Sequence, residues 1–371
     1  MPRLTRRLPP RLAFAAVLCL AAPSVASTVE TSAGPMEITP VVEGLKEAWG
    51  VAALPDGAIL LTERQGRLLL ARDGAAVPVE GVPAVAVAGQ GGLLDVMVPA
   101  DFAQTRRIWL SFSAEAEGGL ATAAGFGTLK EDGTALEGFR TVFTGTPAAG
   151  GRHFGARLVE APDGSIFLTT GDRGTGPDGM EAQDPGVTHG KVIRLTADGT
   201  PASGGDLPPG IYSTGHRNIQ GAALRPDGSL LVVEHGAKGG DEVNLVEQGR
   251  NYGWPVISYG VNYNGASIGE GTARDGMEQP QHYWDPSIAP SGLMVYSGAL
   301  VPDWEGDVFT GSLNSDFLSR LDPDTGADTG WAEERIAAPE TGRVRDVTEA
   351  PDGAIWFLSV TEGALYRLAP Q

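Results

Sequence analysis

The chain has 371 residues, of which 42% are hydrophobic, and its 46 acidic and 27 basic side chains give a formal net charge of −19. This composition is typical of a folded globular protein and excludes a disordered chain. The negative charge argues against nucleic acid and anionic membrane surfaces as partners, because both repel an acidic protein.

Residues 1–26 are predicted to be a secretory signal peptide. Four arginines surround the start of the segment, the apolar run Leu12–Ala22 follows, and small residues allow cleavage near Ala26. The run is too short to span a bilayer as a helix, and no later stretch is long enough. We therefore expect a mature chain of residues 27–371, periplasmic or secreted, without a membrane span and with a net charge of −23.

The only cysteine, Cys19, lies inside the predicted signal peptide. The mature chain would then contain no thiol. Disulfides, cysteine zinc sites, iron–sulfur clusters and cysteine nucleophiles are excluded together.

Short β-rich runs separated by Gly, Pro and Asp fill the rest of the chain. In the clearest copies a Pro-Asp-Gly turn stands between two strand-like runs, because Pro fixes φ and Gly accepts a positive φ. Four copies are strong and two are weaker, and they begin at Pro55, Pro99, Pro162, Pro226, Pro302 and Pro351. The spacing of 44 to 76 residues suits a four-stranded propeller blade of ~40–50 residues with loops added.

The repeats predict an all-β fold, a six-bladed β-propeller of four-stranded blades that forms one domain over residues 27–371. Each repeat can bury its faces only by stacking on its neighbours, and a closed ring leaves no frayed sheet edge. An N-terminal strand around Glu37–Val42 is expected to complete the last blade. The alternative is a pair of β-sandwiches.

Polar clusters that interrupt the strand-and-turn rhythm are the candidate functional residues, since propeller loops converge on a central channel. His153 stands in a glycine-rich loop, where an imidazole suits proton abstraction from an alcohol or serves only as a structural loop residue. The glycine-rich turn Gly236–Glu242 offers carbonyls and acids for a calcium ion, or is a solvated acidic loop. Arg343 and Arg345 would share one face of a strand, suited to a multiply charged anion or to salt bridges.

Several motifs occur together and in order along the whole mature chain: Gly89-Gln-Gly-Gly-Leu-Leu-Asp95, His153-Phe-Gly-Ala-Arg-Leu158, Gly215-His-Arg-Asn218, Gly240-Asp-Glu-Val-Asn244, Asn251-Tyr-Gly-Trp-Pro255 and Ser287-Ile-Ala-Pro-Ser-Gly292. In this order they resemble the soluble PQQ-dependent aldose sugar dehydrogenases, the glucose/sorbosone dehydrogenase-like six-bladed propellers, which are typically periplasmic. PQQ is pyrroloquinoline quinone.

The resemblance implies a role for each matching position around the sugar. His153 would be the general base that takes the proton from the anomeric hydroxyl. The residues expected to orient the sugar are Gln90, Asp172 and Gln183, with Asp172 also near enough to tune the base.

The resemblance also implies which residues hold the cofactors, PQQ and Ca²⁺. Those expected around the quinone are Arg217 and Asn218, with Arg343 and Arg345 on its carboxylates. The carbonyls of Gly236 and Ala237 would hold calcium, and the residues expected to support that loop are Asp241, Glu242 and Tyr252. Asn314 stands where the family usually has a lysine against a PQQ carboxylate, so one charge-assisted contact is replaced by a neutral one, at a cost of ~1.5–3 kcal/mol in binding.

The activity implied is oxidation of an aldose at C1 to a lactone by hydride transfer to PQQ, with an external electron acceptor, a quinone or a cytochrome, as the later partner. Two alternatives stay open. One is a calcium-dependent propeller hydrolase of lactones or esters, and the other is an exported propeller that only binds a protein or glycan.

Overall fold

The structure is a computed structural model that describes residues 26–203 and 205–371. The predicted signal peptide therefore lies outside the described residues except for Ala26. The regular secondary structure of the described chain is almost entirely β, with one short helix, α1, at Phe102–Thr105 and 3₁₀ turns at Gly176–Asp178, Pro302–Trp304 and Pro339–Thr341. None of the helices in these two ranges has the length and apolar character needed to cross a bilayer.

The described strands form six antiparallel sheets. The chain starts with β1 (Ser27–Thr31) and β2 (Gly34–Glu43), and three blades follow. The first blade contains β3 (Ala48–Ala53), β4 (Ile59–Glu63), β5 (Arg67–Arg72) and β6 (Ala75–Val79). The second contains β7 (Leu93–Met97), β8 (Arg107–Ala116), β9 (Gly119–Leu129) and β10 (Leu136–Thr144). The third contains β11 (Leu158–Glu160), β12 (Ile166–Thr169), β13 (Val192–Leu195) and β14 (Ile211–Ser213).

The second half of the chain repeats the same order. The fourth blade contains β15 (Ile219–Leu224), β16 (Leu230–Glu234), β17 (Asp241–Val246) and β18 (His282–Trp284). The fifth contains β19 (Pro290–Val295), β20 (Val308–Ser312), β21 (Leu318–Ala327) and β22 (Gly330–Ile336). The sixth contains β23 (Val344–Glu349), β24 (Ile355–Ser359) and β25 (Ala364–Pro370). The predicted six-bladed propeller is thus confirmed.

All six sequence repeats fall on the same structural position, the connection between the first and second strands of a blade. In the first blade Gly57 has a φ of +84°, and the Asp56 carboxylate accepts a hydrogen bond of 3.1 Å from the Ala58 amide. The turn residues therefore act as the sequence indicated, because Gly accepts the left-handed backbone and Asp caps the turn.

The ring closes where the beginning of the described chain meets its end. β2 pairs with β25 from Met36 opposite Pro370 to Glu43 opposite Ala364, and β1 adds a fifth strand at the outer edge. Met36 and Ile38 are each 1% exposed in the core of this sheet. The predicted closing strand is confirmed, and the sixth blade carries one strand more than the four expected.

A buried charged cluster ties the inner strands together. The Arg157 guanidinium lies 3.0 Å from Asp95 of β7 and 3.0 Å from Asp346 of β23, and it stacks over Trp49 of β3. Burial raises the pKa of Asp95 to about 6, against the opposing charge of Arg157. One side chain therefore joins the first, second, third and sixth blades next to the channel.

Candidate active site

A cavity of about 390 Å³ lies among the inner strands and their connecting loops. Its volume is in the range that holds a small-molecule ligand. Five of the residues singled out from the sequence line it: Gln90, Asn218, Asn314, Arg343 and Arg345. They come from the second, fourth, fifth and sixth blades, so the ring brings together residues that are far apart in the chain.

His153 does not itself line this cavity, but the two residues that follow it, Phe154 and Gly155, do, and its side chain is bound to Asp172. The two side chains are 2.6 Å apart, from imidazole Nδ1 to carboxylate Oδ1. His153 is 11% exposed and has a φ of +50°, whereas Asp172 is fully buried. Because the carboxylate only accepts hydrogen bonds, Nδ1 carries the proton and Nε2 keeps a free lone pair.

Three donors hold Asp172 in place. Its Oδ1 also accepts a hydrogen bond of 2.7 Å from the Gly174 amide, and its Oδ2 accepts one of 2.9 Å from the indole of Trp254. Burial raises the pKa of Asp172, but the hydrogen bond from His153 and nearby positive charge outweigh it, so the net pKa lies below its usual value. Asp172 is therefore ionised at neutral pH.

The protonation state of His153 is set mainly by its burial. Desolvation lowers the pKa of the imidazole below 6.5, and the hydrogen bond to Asp172 opposes that effect only in part. The pair at neutral pH is thus a neutral imidazole held by a carboxylate. This is the arrangement of a general base whose orientation is fixed by a third group.

The two glutamines predicted to orient a sugar differ in position. Gln90 is exposed, lines the cavity and accepts a hydrogen bond of 2.7 Å from the His153 amide. Gln183 does not line the cavity: its amide bonds Asn251 at 3.0 and 2.7 Å and the carbonyl of Trp254 at 2.8 Å. Because its amide oxygen and amide nitrogen are both in use, the geometry favours a supporting role for Gln183 over direct contact with a sugar.

Two arginines that line the cavity, Arg343 and Arg345, and Arg217 at a neighbouring small void carry positive charge without a carboxylate partner. Among the described residues, Arg217, Arg343 and Arg345 form no salt bridge, although the protein is strongly acidic. The Arg217 Nε is buried and has no hydrogen-bond partner in the described chain. Burial, together with the charge of Arg343, lowers the pKa of Arg345 to about 9. These arginines are therefore available to an anionic ligand.

The prediction that Arg343 and Arg345 share one face of a strand was wrong. Arg343 lies before β23 rather than in it, with a φ of +46°, and its guanidinium donates to the Leu313 carbonyl at 2.8 Å. Strand alternation thus does not explain why both arginines line one cavity. The Arg343 side chain is instead directed to the cavity by its left-handed backbone and by its hydrogen bonds to the loop that follows β20.

The two asparagines that line the cavity differ in whether the side-chain amide nitrogen has a hydrogen-bond partner. The Asn218 oxygen accepts from the Gly155 amide at 3.3 Å and from Gln220 at 3.1 Å, and within the described chain its amide nitrogen has no partner. Asn314 uses its amide nitrogen on the Ser287 carbonyl at 3.1 Å, and its oxygen accepts from Ser315 at 2.8 Å. Asn218 is therefore the freer hydrogen-bond donor toward the cavity.

The glycine-rich turn predicted to hold calcium is tightly folded. A Cβ on Gly236 would lie 2.2 Å from the Gly239 carbonyl, so only glycine fits. Asp241 holds the turn, since its Oδ1 accepts from the Gly236 amide at 2.8 Å. Its Oδ2 accepts from Ser287, Ile288 and Ala289 at 2.7 to 2.9 Å. Both carboxylate oxygens are in use, so Asp241 supports the turn and is not placed to bind an ion itself.

A void of about 10 Å³ lies behind the turn, lined by Gly236, Gly240, Glu242 and Tyr252 among others. Such a void is about the size of one water molecule or ion. Burial, reinforced by the charge of Glu234, raises the pKa of Glu242 to about 8. The described chain holds no group of three or more His, Cys, Asp or Glu side chains with metal-site geometry, so a cation here would depend on backbone carbonyls as well.

Ala237 and Tyr252 support the same region. Ala237 is 8% exposed and packs with Trp254 and Ile268. The Tyr252 hydroxyl donates to the Leu245 carbonyl at 2.6 Å, and its ring stacks on His216 with centroids 4.6 Å apart. Tyr252 therefore fixes the end of β17 against the loop that follows it.

Two residues near the site had no predicted role. Trp254 donates its indole N–H to Asp172, and His235 lines both the central cavity and the smaller void. Burial lowers the pKa of His235 to about 3, and its Nε2 lies 2.7 Å from the Pro290 carbonyl. Trp254 and His235 stand in glycine-rich stretches that the sequence analysis named as candidates. Their specific contacts could be distinguished from ordinary packing only in the folded structure.

Comparison with known proteins gives a consistent result. The family model described as glucose/sorbosone dehydrogenase matches residues 45–367. The aldose sugar dehydrogenase YliI of Escherichia coli K12 is 39% identical over 344 residues, which cover 88% of this chain and 91% of that protein.

Two solved structures extend the likeness to the fold. The apo-form of the soluble aldose sugar dehydrogenase from Escherichia coli superposes with a TM-score of 0.84 at 36% identity, covering 91% of this chain and all of that one. The PQQ-bound aldose sugar dehydrogenase from Streptomyces coelicolor gives 0.74 at 27% identity, covering 90% and 98%.

Proposed function

We propose, from the premise that this chain belongs to the glucose/sorbosone dehydrogenase family, that it oxidises aldose sugars at C1 to lactones with PQQ and calcium as cofactors. The observation that carries the proposal is the neutral His153–Asp172 pair beside a cavity edged by unpaired arginines. A base for an alcohol proton and a site for an anionic oxidant then lie next to each other.

The residues present suit the quinone. PQQ carries three carboxylates, and the cavity offers the guanidinium groups of Arg343 and Arg345 and the free amide nitrogen of Asn218. The buried Nε of Arg217 needs an acceptor that the described chain does not supply. These four residues would hold the cofactor, and Asn314, whose amide is bonded to protein, would contribute little to that binding.

The residues present also suit calcium. A hard cation prefers oxygen ligands, and the turn that begins at Gly236 offers closely packed carbonyls next to the half-buried carboxylate of Glu242. Burial, reinforced by the charge of Glu234, raises the pKa of Glu242 to about 8, and a divalent ion would supply the positive charge that favours its ionised form. Gly236 and Ala237 would offer carbonyls, with Asp241 and Tyr252 fixing the loop.

The chain's own residues account for the proton transfer. His153 takes the anomeric hydroxyl proton on Nε2, and Asp172 stabilises the imidazolium that forms. Gln90 fixes the backbone of His153 and still has an amide group for the sugar. When bound, the cofactors supply the acceptor for the hydride that leaves C1, made more electrophilic by calcium. Loss of the proton and the hydride leaves the sugar as a lactone.

The predicted signal peptide and the family together support a periplasmic or secreted site of action. The strong negative charge of the described surface would suit a cationic redox partner. The external electron acceptor, a quinone or a cytochrome, would remove the two electrons after each turnover.

The proposal is tested by reconstitution. Purified apo-protein is mixed with an aldose and a reducible dye, with PQQ alone, with Ca²⁺ alone and with both. We expect dye reduction only with both, and at least a 10²-fold loss in His153→Ala, because a positioned general base contributes about 10²- to 10⁴-fold.

The matched control is His282→Ala, which removes a buried imidazole from the outer strand β18. It should keep the activity of the wild-type protein, and circular dichroism should show that both variants are folded. Sugar oxidation without added PQQ, or full activity in His153→Ala, would refute the proposal.

A further inference from the structure

Lys191 is a fully buried lysine that the proposed reaction does not use. It stands directly before β13, and its ammonium lies 2.9 Å from the Glu181 carbonyl, 2.9 Å from the Ala182 carbonyl and 2.5 Å from the His189 carbonyl. Each of the three N–H groups thus has one backbone oxygen, and no carboxylate of the described chain forms a salt bridge with it. Burial lowers the pKa of Lys191 to about 7, and the three carbonyls favour its protonated form, because only that form has three N–H donors. The protonated side chain gathers the turn as a bound metal ion would.

The carbonyls that Lys191 holds belong to a turn with a second set of partners. The Ala182 carbonyl also accepts from the Gly215 amide at 2.8 Å, and the Gly215 carbonyl accepts from the Trp254 amide at 2.8 Å. The next residue, Gln183, donates to the Trp254 carbonyl at 2.8 Å. Two routes therefore connect the lysine turn to the backbone of Trp254.

Trp254 completes the connection to the proposed base. Its indole donates to Asp172 Oδ2 at 2.9 Å, and Asp172 Oδ1 binds His153. The indole is 5% exposed and packs on Ala182 and Ala237. The orientation of the carboxylate therefore depends on where the turn anchored by Lys191 places this ring.

We propose that Lys191 is a positioning residue, an internal cation that fixes the 181–183 turn so that Trp254 orients Asp172 and His153. The inference rests on the proposed function only for the role of His153 as a base. Burying an ammonium costs more than burying an apolar side chain of the same size, so stability alone gives no reason for a lysine here. A positioning role explains the lysine, because its three N–H donors order three backbone carbonyls at the same time.

The test compares Lys191→Met, Trp254→Phe and the double variant. Lys191→Met keeps the length of the side chain and removes its donors, and Trp254→Phe removes the indole N–H. Both should lower kcat about 10- to 100-fold, since a misplacement near 1 Å has that effect. Both should also move the acid limb of kcat/KM to higher pH, because Asp172 without the indole donor attracts the His153 proton more strongly.

The double variant should be little worse than either single one, because both act through the same contact. Tyr296→Phe is the control, since it removes a buried hydroxyl of the fifth blade that donates to the Gly353 carbonyl in the sixth, far from Lys191 in the chain. Its effects should add to those of Lys191→Met, and the acid limb should stay in place. Full additivity of Lys191→Met with Trp254→Phe, or an unchanged acid limb, overturns the inference.

A readout in the apo-protein separates this inference from the proposed function. The indole N–H resonance of Trp254 should move and exchange faster in Lys191→Met and not in Tyr296→Phe. If wild-type protein oxidises no sugar, the proposed function fails, while this resonance still tests the link from Lys191 to Trp254. Lys191→Gln, which is shorter and offers only two N–H donors for the three carbonyls, replaces the methionine variant if that one does not fold, and an unmoved resonance in it overturns the link.

Discussion

At the scale of single residues, His153 is held at two points. Its ring is bonded to Asp172 and its amide to Gln90, while its φ of +50° places it in a left-handed turn. Fixing both backbone and ring leaves little freedom to the Nε2 atom, so the lone pair points in one direction. Catalysis by a loop residue requires such fixation, since loops otherwise move.

The lowered pKa of His153 predicts the pH dependence of the reaction. The base must be neutral, and burial moves its pKa below 6.5, so kcat/KM should be flat near neutral pH and fall only below pH 6.5. At still lower pH the fall should approach about tenfold per pH unit, as for one proton. The measurement is kcat/KM against pH in the reconstituted enzyme, and a rate that rises on acidification would contradict the assignment.

The site residues differ in how far the sequence alone could predict their roles. His153 and the arginines stand in short motifs, so a resemblance places them without coordinates. The contacts of Trp254 with Asp172 and of Lys191 with its three carbonyls depend on which turn packs on which. Trp254 and Asp172 are 82 residues apart. The sequence does not distinguish a buried lysine from an exposed one, so the role of Lys191 could not be predicted from it.

At the scale of elements, the turn between β16 and β17 depends on one carboxylate. Asp241 accepts four hydrogen bonds from the turn and from the segment before β19. This element was predicted as a glycine-rich ion loop from its composition. Only the structure shows that Asp241 holds the turn through its hydrogen bonds, whereas Glu242 lines the small void.

Replacing Asp241 with alanine should loosen this element. Three backbone amides would lose their acceptor, so the free energy of unfolding should fall by about 3 kcal/mol, and calcium should bind more weakly. Denaturant unfolding and calcium titration measure the two effects. Asp227→Ala, in the exposed turn after β15, removes a carboxylate with only local bonds and should change both quantities little. Equal effects in the two variants would count against the role of Asp241.

At the scale of the whole molecule, the fold followed from the repeats because each Pro-Asp-Gly turn marks the same hairpin. The weaker copies at Pro99 and Pro302 lie at that hairpin as well, although helical turns replace the simple one there. The extra strand β1 had no such marker, since it is not part of the repeat.

The closing strand should carry a large share of the stability of the ring. Ile38 of β2 is 1% exposed and lies in the core of the sixth blade, so Ile38→Ala should lower the free energy of unfolding by about 2–5 kcal/mol. Ile38→Val, which leaves a smaller gap, should cost about 1 kcal/mol. Thermal and denaturant unfolding check both, and an alanine variant as stable as the wild type would show that closure depends little on this strand.

The pairing of β2 with β25 also orders events during folding. The seam joins two strands that flank all the other blades in sequence, so the circle is sealed only when those blades are in place. Long-range pairing of this kind forms slowly and late. A prematurely terminated product would carry an unpaired β2 edge and an incomplete blade, which quality-control proteases recognise. Survival of the protein thus depends on the presence of β25 to pair with β2.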